Sequence, residues 1–562
     1  MKKVFAFSFF SLGISSVVSQ VVIIRELIVG FYGNEFFIGW VLFAWLLWVG
    51  LGSLAAGKLL NKVFSCAAIL IYLQTSVVLL FPLEIILIRS NRLFLGTAAG
   101  EIPNLIPTLA YSFFSMAPFC LVLGFYFTKA TQYLIDEGSQ RGNGSLISQA
   151  YLFETFGFVA GGILFSYGLI FRNEFFAASV LAGLNLALAV FLLYEIPSTG
   201  RRRPLLAVFA IFVLSWILWF HADRIHFVTT QVRFPKETLI ESRNSIYGNV
   251  TVTRAKDQYN FYENGLLLGS GEEKIFNENF VHFSLLSHPD PKAILLVGTG
   301  FNGALREILK YHPWEVEDVE FDRLLLDLAA QYIPKDLAAI LDKPPIRIYL
   351  GDARRFLKGT SKTFDCILIH LPNPSTALIN RYYTEEYYRE VKKHLNPGGL
   401  VATHIAFSPD YVTRELANLS ASIYKTLKTS FPVIYVLPGN ALFFIASADT
   451  DLQLTPETLI ARFEERDIES YFVSTPSIEY GLTNDRVGNV ENLLRTNRAV
   501  EVNRDLRPRA YYYNLVYWLS FLNRGLVQGF SALTQIQPWM VLAALVFFVI
   551  FPLFFLRNPE AK

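Results

Sequence analysis

Glycines 298, 300 and 303 follow a run of apolar residues, Ile294 to Val297, and precede a helix-like stretch from Ala304 to Lys310. In the order strand, G-x-G-x-x-G, helix, such glycines allow a tight turn and a close backbone approach to a ligand at a helix N-terminus. Glu320 closes a second strand, Val316 to Phe321, 22 residues after Gly298. An acid at about that offset binds ribose hydroxyls, so the unit reads as a nucleotide-type site. Further strands run Ile346 to Leu350, ending at Gly351-Asp352; Phe364 to Ile369, ending at His370; and Leu400 to His404. Parallel strands carrying Gly298, Glu320, Asp352 and His370 at their C-terminal ends line one crevice of an open sheet. The Asp352 carboxylate either accepts from an adenine amino group or caps the helix that starts at Ala353.

These strands occupy only part of a 562-residue chain, too long for one ordinary domain. Hydrophobic residues make up 53%, with 50 Phe and 27 Tyr, and the mean hydropathy is +0.37, high for a soluble protein. A net charge of +2 without a basic stripe argues against a nucleic-acid partner. Cys66, Cys120 and Cys366 form no C-x-x-C, so neither a disulfide framework nor a cysteine metal site is expected, and no metal is.

Apolar runs of spanning length recur at 5–24, 37–57, 66–88, 106–128, 149–170, 175–195 and 204–221, with an eighth at 539–556. Each is near the ~20 residues that cross ~30 Å of hydrocarbon. Residues 1–221 are therefore expected to form a seven-span helical membrane domain in the cell (inner) membrane, in contact with its lipid. Residues 222–290 alternate as a small β-meander, with strands at Asn249 to Arg254 and Gln258 to Tyr262 and a turn at Glu263-Asn-Gly265. Residues 291–510 read as an α/β Rossmann-like domain, and 511–562 as an interfacial segment with a last transmembrane helix. Lys2, Lys3, Lys58, Lys62, Lys129, Arg141 and Arg201 to Arg203 fall on one side of the seven spans, against Arg25, Arg89, Arg92 and Arg172 on the other. The positive-inside rule then puts the N-terminus in the cytoplasm and the soluble domain outside, where nucleotide-type metabolites are scarce. Either one run is re-entrant, the rule fails, or the domain no longer uses such a ligand; the side of residues 222–510 stays open.

Polar groups inside apolar segments are functional candidates by default. Arg25, Glu26 and Glu35 crowd the first loop, where they act either in function or as interface anchors, and Glu154 sits within the fifth run, with a functional role or a partner on a neighbouring helix. Gly157, Gly161 and Gly162 in the same run suit close helix packing.

With these residues in view, roughly 235–405 resembles the spermidine synthase (polyamine aminopropyltransferase) family. Tyr247-Gly248, Asn264-Gly265, Asn277 to His282, Val297 to Gly303, Val319 to Asp322, Gly351-Asp352, Asn373-Pro374, Tyr383 to Tyr388 and Asn396 to Gly399 follow the order of the family's motifs. A membrane-fused branch of that family is similar over the whole chain, including Arg25-Glu26, Asn34-Glu35 and Asn503 to Pro508. The resemblance implies a class I S-adenosylmethionine-transferase fold in which Gly298, Gly300, Gly303, Glu320 and Asp352 bind the nucleoside. It also implies that Tyr247, His282, Asn373 and Tyr383 face the substrate. The departures fall on the amine side: Phe301 stands where the family has an Asp, His370 replaces the catalytic Asp, and Leu268 and Val281 lie near its substrate-side Gln and Tyr. His370, with an ordinary pKa of ~6.5, either takes the proton of the attacking amine or is structural.

Three functions follow from the resemblance. One is aminopropyl transfer from decarboxylated S-adenosylmethionine to a small amine or lipid-soluble acceptor. A second is methyl transfer from S-adenosylmethionine to a membrane-resident acceptor. The third is a non-enzymatic transport or binding protein with a degenerate synthase domain. A homodimer is compatible with each.

Overall fold

The computed structural model describes residues 3–59, 66–96, 105–137, 143–194 and 202–520 except 272, 299, 409, 410 and 453, with scattered positions between 540 and 550. Most of the eighth apolar run and of the stretch beyond Ser520 lies outside the described residues.

The first part is helical: α1 (Lys3–Gly30), α2 (Phe36–Leu59), α3 (Cys66–Arg89), the short α4 (Asn91–Leu95), α5 (Leu105–Glu137), α6 (Asn143–Leu164), α7 (Glu174–Tyr194) and α8 (Arg202–Gln231). All but α4 are long and apolar enough to cross a membrane, seven in number. Two crossings depend on glycine. A Cβ at Gly13 or Gly157 would collide with the backbone of the facing helix, α6 or α1 respectively, and Gly161 also meets α1. Gly162 meets nothing, which narrows the packing role expected of the three. Gly52 and Gly124 bring α2 and α5 together in the same way.

One expected boundary moves. The apolar run ends at 221, but α8 continues to Gln231, because Asp223, Arg224 and the residues after them are tolerated in a helix and no Pro occurs before Pro235.

Four strands then form an antiparallel meander in sequence order: β1 (Thr238–Asn244), β2 (Asn249–Ala255), β3 (Gln258–Glu263) and β4 (Leu266–Ser270). Asn264 and Gly265 both take positive φ, 48° and 78°, at the last hairpin turn. After α9 (Lys274–Leu286) comes a seven-stranded sheet built from β5 (Ala293–Val297), β6 (Glu315–Glu320), β7 (Ile346–Leu350), β8 (Phe364–Ile369), β9 (Leu395–Ala406), β10 (Val433–Pro438) and β11 (Ala441–Ser447). Its order is β10-β11-β9-β8-β5-β6-β7, parallel from β9 to β7 and antiparallel at β10 and β11. The chain leaves β5 in one direction for β6 and β7 and then crosses to β8 on the other side. That reversal opens a crevice at the C-terminal ends of β5 and β8.

Helices cover both faces: α10 (Ala304–Leu309), α11 (Arg323–Tyr332), α12 (Lys335–Leu341), α13 (Ala353–Gly359), α14 (Ala377–Asn380), α15 (Glu385–Lys393), α16 (Arg414–Lys428), α17 (Pro456–Glu465), α18 (Thr475–Thr483) and α19 (Asp485–Thr496). A final helix, α20 (Arg509–Ser520), buries Leu515 and Leu519 in the core formed by the long apolar helices.

The two parts are joined by buried charge. Arg89 reaches Glu26 at 2.6 Å and Glu174 at 2.5 Å, and Glu26 also pairs with Arg233. His226 Nδ1 lies 3.0 Å from Glu174, and the Asn244 amide of β1 donates to Glu174 at 2.7 Å. All six side chains are buried. Glu26 is thus not an interface anchor but a member of this cluster. Arg25 donates to the carbonyl of Ser245 at 3.0 Å, and the Glu35 carboxylate accepts from the Ala377 N–H at the start of α14 at 2.9 Å. Three of the four polar membrane candidates therefore fasten the soluble domain. Glu154 does not: its side chain makes no hydrogen bond or ion pair among the described residues.

Candidate active site at the β5–β8 crevice

Each glycine of the loop is dictated by its surroundings. Gly298 has φ 86°, and a Cβ there would lie 2.5 Å from Leu371 Cδ2 and 2.9 Å from the carbonyl of His370. At Gly300 a Cβ would lie 2.5 Å from the carboxyl of Asp318, which is buried under the loop, and burial holds that acid's pKa well up. Gly303, with φ 112°, turns the chain into α10. Phe301 is buried and packs edge-on against Phe261 of β3, ring centroids 5.3 Å apart. The residue that stands in for a family carboxylate thus welds the loop to the meander instead of facing a ligand.

Acids gather beside the loop. Glu320 is buried at the end of β6 and accepts from the Phe321 N–H at 2.7 Å. Asp322 caps α11 through the Leu324 N–H. Glu263, at the end of β3, has its pKa raised to about 8 by burial and then by the nearby charges of Asp322 and Glu320. Tyr247 stacks on Phe321, centroids 4.1 Å apart, and so borders the same acidic end. Of the two readings for Asp352, the structure displays the capping one. Its carboxylate accepts from the Arg354 N–H at 2.7 Å and from Arg355 at 3.3 Å, and it pairs with Arg381 at 2.8 Å.

Next to the loop lies a cavity of about 420 Å³ lined by residues of β4, the C-terminal ends of β8 and β9, and α20. His370 and Asn373 line it, as do Leu266 to Leu268, Glu273, Phe276, His404, Ala441, Tyr517 and Trp518. His370 Nε2 lies 3.1 Å from Asn277 Oδ1, and its ring packs edge-on against Phe276, Phe280 and His404. Burial lowers its pKa to about 4, so the ring is neutral at physiological pH. Burial, and then the neighbouring His370, also push the His404 ring well below its ordinary value, and its Nε2 has no hydrogen-bond partner among the described residues. Asn373 accepts from the Ala406 N–H at 2.7 Å and lies 3.4 Å from Asn514 of α20. Burial raises the pKa of Glu273, which meets the Ser270 N–H at 3.2 Å.

Two expected substrate residues are placed elsewhere. His282 is fully buried between α9 and α10, 3.1 Å from Glu307 and 3.0 Å from the Tyr311 hydroxyl. Its position in a helix that borders the site by sequence concealed that it points into the core. Tyr383 is also fully buried, with its hydroxyl within 3.2 Å of the carbonyls of Leu371, Pro372 and His404. It shapes the cavity wall from behind. Asn503, from the Asn503 to Pro508 motif, holds that same region by donating to the Tyr383 carbonyl at 2.9 Å.

Sequence reasoning missed Glu273 and Trp518, and placed Asn277 and Asn302 in motif stretches without giving either a role. Asn277 links His370 to the loop by donating to the Asn302 carbonyl at 2.9 Å, and a lone Asn or Glu carries no spacing signal of its own. Among the described residues, no group of three or more His, Cys, Asp or Glu side chains is arranged to hold a metal ion.

Residues 273–454 match the Spermine/spermidine synthase domain family. A polyamine aminopropyltransferase of Korarchaeum cryptofilum is 33% identical over 144 residues, covering 26% of this chain and 44% of its own length. One from Oceanobacillus iheyensis is 29% identical over 325 residues, covering 56% of this chain and 62% of its own. The chain spans about half the length of the curated relatives it matches. The crystal structure of spermidine synthase from Thermotoga maritima superposes with a TM-score of 0.38 at 20% identity, over 46% of this chain and 87% of that one. Residues 273–454 are a spermine/spermidine synthase domain, carried on the same chain as helices of which seven, among the described residues, are long and apolar enough to cross a membrane.

Proposed function

We propose that the chain transfers an aminopropyl group from decarboxylated S-adenosylmethionine to an amine, at the membrane. The observation that carries this reading is the adjacency, within one crevice, of a glycine cradle backed by acids and a separate apolar cavity with one carboxylate. Gly298 and Gly300 leave room where any side chain would intrude, and Glu320 stands where ribose hydroxyls would be met. Glu320 and Asp322 give that end negative charge, and Glu263 beside them holds a proton it can release when a cationic sulfonium nucleoside binds. When bound, the donor supplies a propyl carbon activated by its sulfonium sulfur.

The chain's own task is to align the amine with that carbon and to accept its proton. We assign the proton to Glu273 rather than His370. A ring with a pKa of about 4, tied to Asn277, is a weak base at neutral pH, whereas a carboxylate raised by burial is better matched. His370 is a positioning residue that fixes the cavity wall against the loop.

The reading is tested with the full-length protein in detergent, by following methylthioadenosine release from decarboxylated S-adenosylmethionine in the presence of amines. Release that requires an amine and is lost in Glu273→Gln supports it. Binding of neither the donor nor methylthioadenosine overturns it.

A further inference from the structure

We propose that the acceptor is a monoamine with a long apolar body, rather than a diamine or polyamine; this rests on the transfer reading above. Among the described residues the cavity offers one carboxylate, Glu273, and the rest of the lining they form is aliphatic, aromatic and neutral polar. The two histidines add no charge at physiological pH, because both are neutral. The amides of Asn373 and Asn514 face each other at 3.4 Å and Asn373 is also held by Ala406, which leaves them little capacity for a second ammonium. A diamine seated with one nitrogen at Glu273 would place the other among apolar side chains without a counter-ion, which is strongly disfavoured. An alkyl chain gains by burial in the same place.

The surroundings of the cavity extend the argument. Trp518, on its wall, packs edge-on against Phe37 of α2 at 6.0 Å, while its helix neighbours Leu515 and Leu519 are buried among the membrane helices. Leu266 to Leu268, on the opposite wall, follow Gly265, whose position admits no Cβ because the Val29 carbonyl of α1 lies against it. Both walls are thus continuous with the membrane helices, and an apolar body of the acceptor would run toward them.

The step balances. The amine nitrogen's lone pair forms a C–N bond to the propyl carbon as the C–S bond breaks. The bonding pair stays on sulfur, leaving neutral methylthioadenosine, and the new ammonium gives one proton to Glu273 and then to solvent.

The test uses the full-length protein in lipid nanodiscs, with octylamine and diaminobutane as probes. Equilibrium dialysis should show octylamine binding about tenfold or more tightly than diaminobutane, and methylthioadenosine release should follow the same order in kcat/KM. Leu268→Glu, which adds a second carboxylate to the wall, should shift both ratios toward the diamine. Tighter binding and faster turnover of diaminobutane by the natural chain would overturn the acceptor class and leave aminopropyl transfer standing. Absence of release with every amine, from protein that still binds methylthioadenosine, overturns the transfer reading itself and the inference with it.

Discussion

Nε2 of His370 stands 3.1 Å from Oδ1 of Asn277, whose amide nitrogen donates to the carbonyl of Asn302 at 2.9 Å. Because the Asn277 nitrogen faces the loop, its oxygen must accept, and His370 carries its proton on Nε2. The end of β8 is thereby tied to the glycine loop at the end of β5, through one side chain of α9.

That relationship predicts acid sensitivity. His370 has a folded pKa of about 4, against ~6.5 in an unfolded chain, so the unfolded state binds more protons between those values. Its contribution is complete above pH ~6.5 and is lost as pH falls toward ~4, by up to ~3 kcal/mol. Melting temperature of the full-length protein should drop over that window, and His370→Asn should flatten the drop. Parallel pH profiles for the two proteins would count against the assignment.

A second prediction concerns Glu263, whose pKa of about 8 reflects burial near Asp322 and Glu320. A bound sulfonium nucleoside lowers that value, so binding between pH ~7 and ~8 should release protons. Calorimetry in buffers of different ionisation enthalpy measures the number directly. Glu263→Gln should abolish the release; an unchanged number would mean the proton comes from elsewhere. In the same experiment Glu320→Ala should weaken methylthioadenosine binding by about tenfold or more.

Arg89 is the hub of the buried ion cluster, since it touches Glu26 and Glu174 together. Arg89→Met removes the guanidinium from two buried carboxylates, leaving Glu26 with Arg233 and Glu174 with only His226 and Asn244, and should cost ~3–5 kcal/mol. The expected result is loss of folded protein after detergent extraction, partly recovered when Glu174→Gln is added. Normal yield and melting of Arg89→Met alone would show that the cluster contributes nothing to stability.

The helix crossings can be probed with paired substitutions. Gly157→Leu drives a side chain into the backbone of α1, whereas Gly50→Ala meets nothing within 4 Å. Thermal melting should fall by several degrees in the first and stay near the natural value in the second. Similar melting for both would argue that α1 and α6 do not pack through this surface.

Much of this architecture is legible in the sequence, for reasons that also mark where it stops. Strand β5 begins one residue before the apolar run read as its strand, whereas β7 and β8 have the limits that their apolar residues and the Gly-Asp and His endings suggest. The end of α8 does not, since a helix leaving an apolar layer changes composition without changing conformation. The glycines of the nucleotide loop are readable because a turn and a close approach admit few other residues. That Glu273 meets the cavity, and that Asp318 lies beneath Gly300, depends on packing between distant segments. The ion cluster is the extreme case. Its members at 26, 89, 174, 226 and 233 are visible as charges near span ends, but nothing in their spacing pairs them.

The mixed parentage of the cavity has a consequence for biosynthesis. Its walls come from the meander, which rests on α1, from the sheet, and from α20, which is wedged between the sheet and the membrane helices. Because α20 lies after every other wall in the chain, a nascent polypeptide holds an incomplete cavity until its first helices have packed and α20 has docked between them and the sheet. Packing of the first helices against the sheet thereby acts as a checkpoint on completion of the cavity.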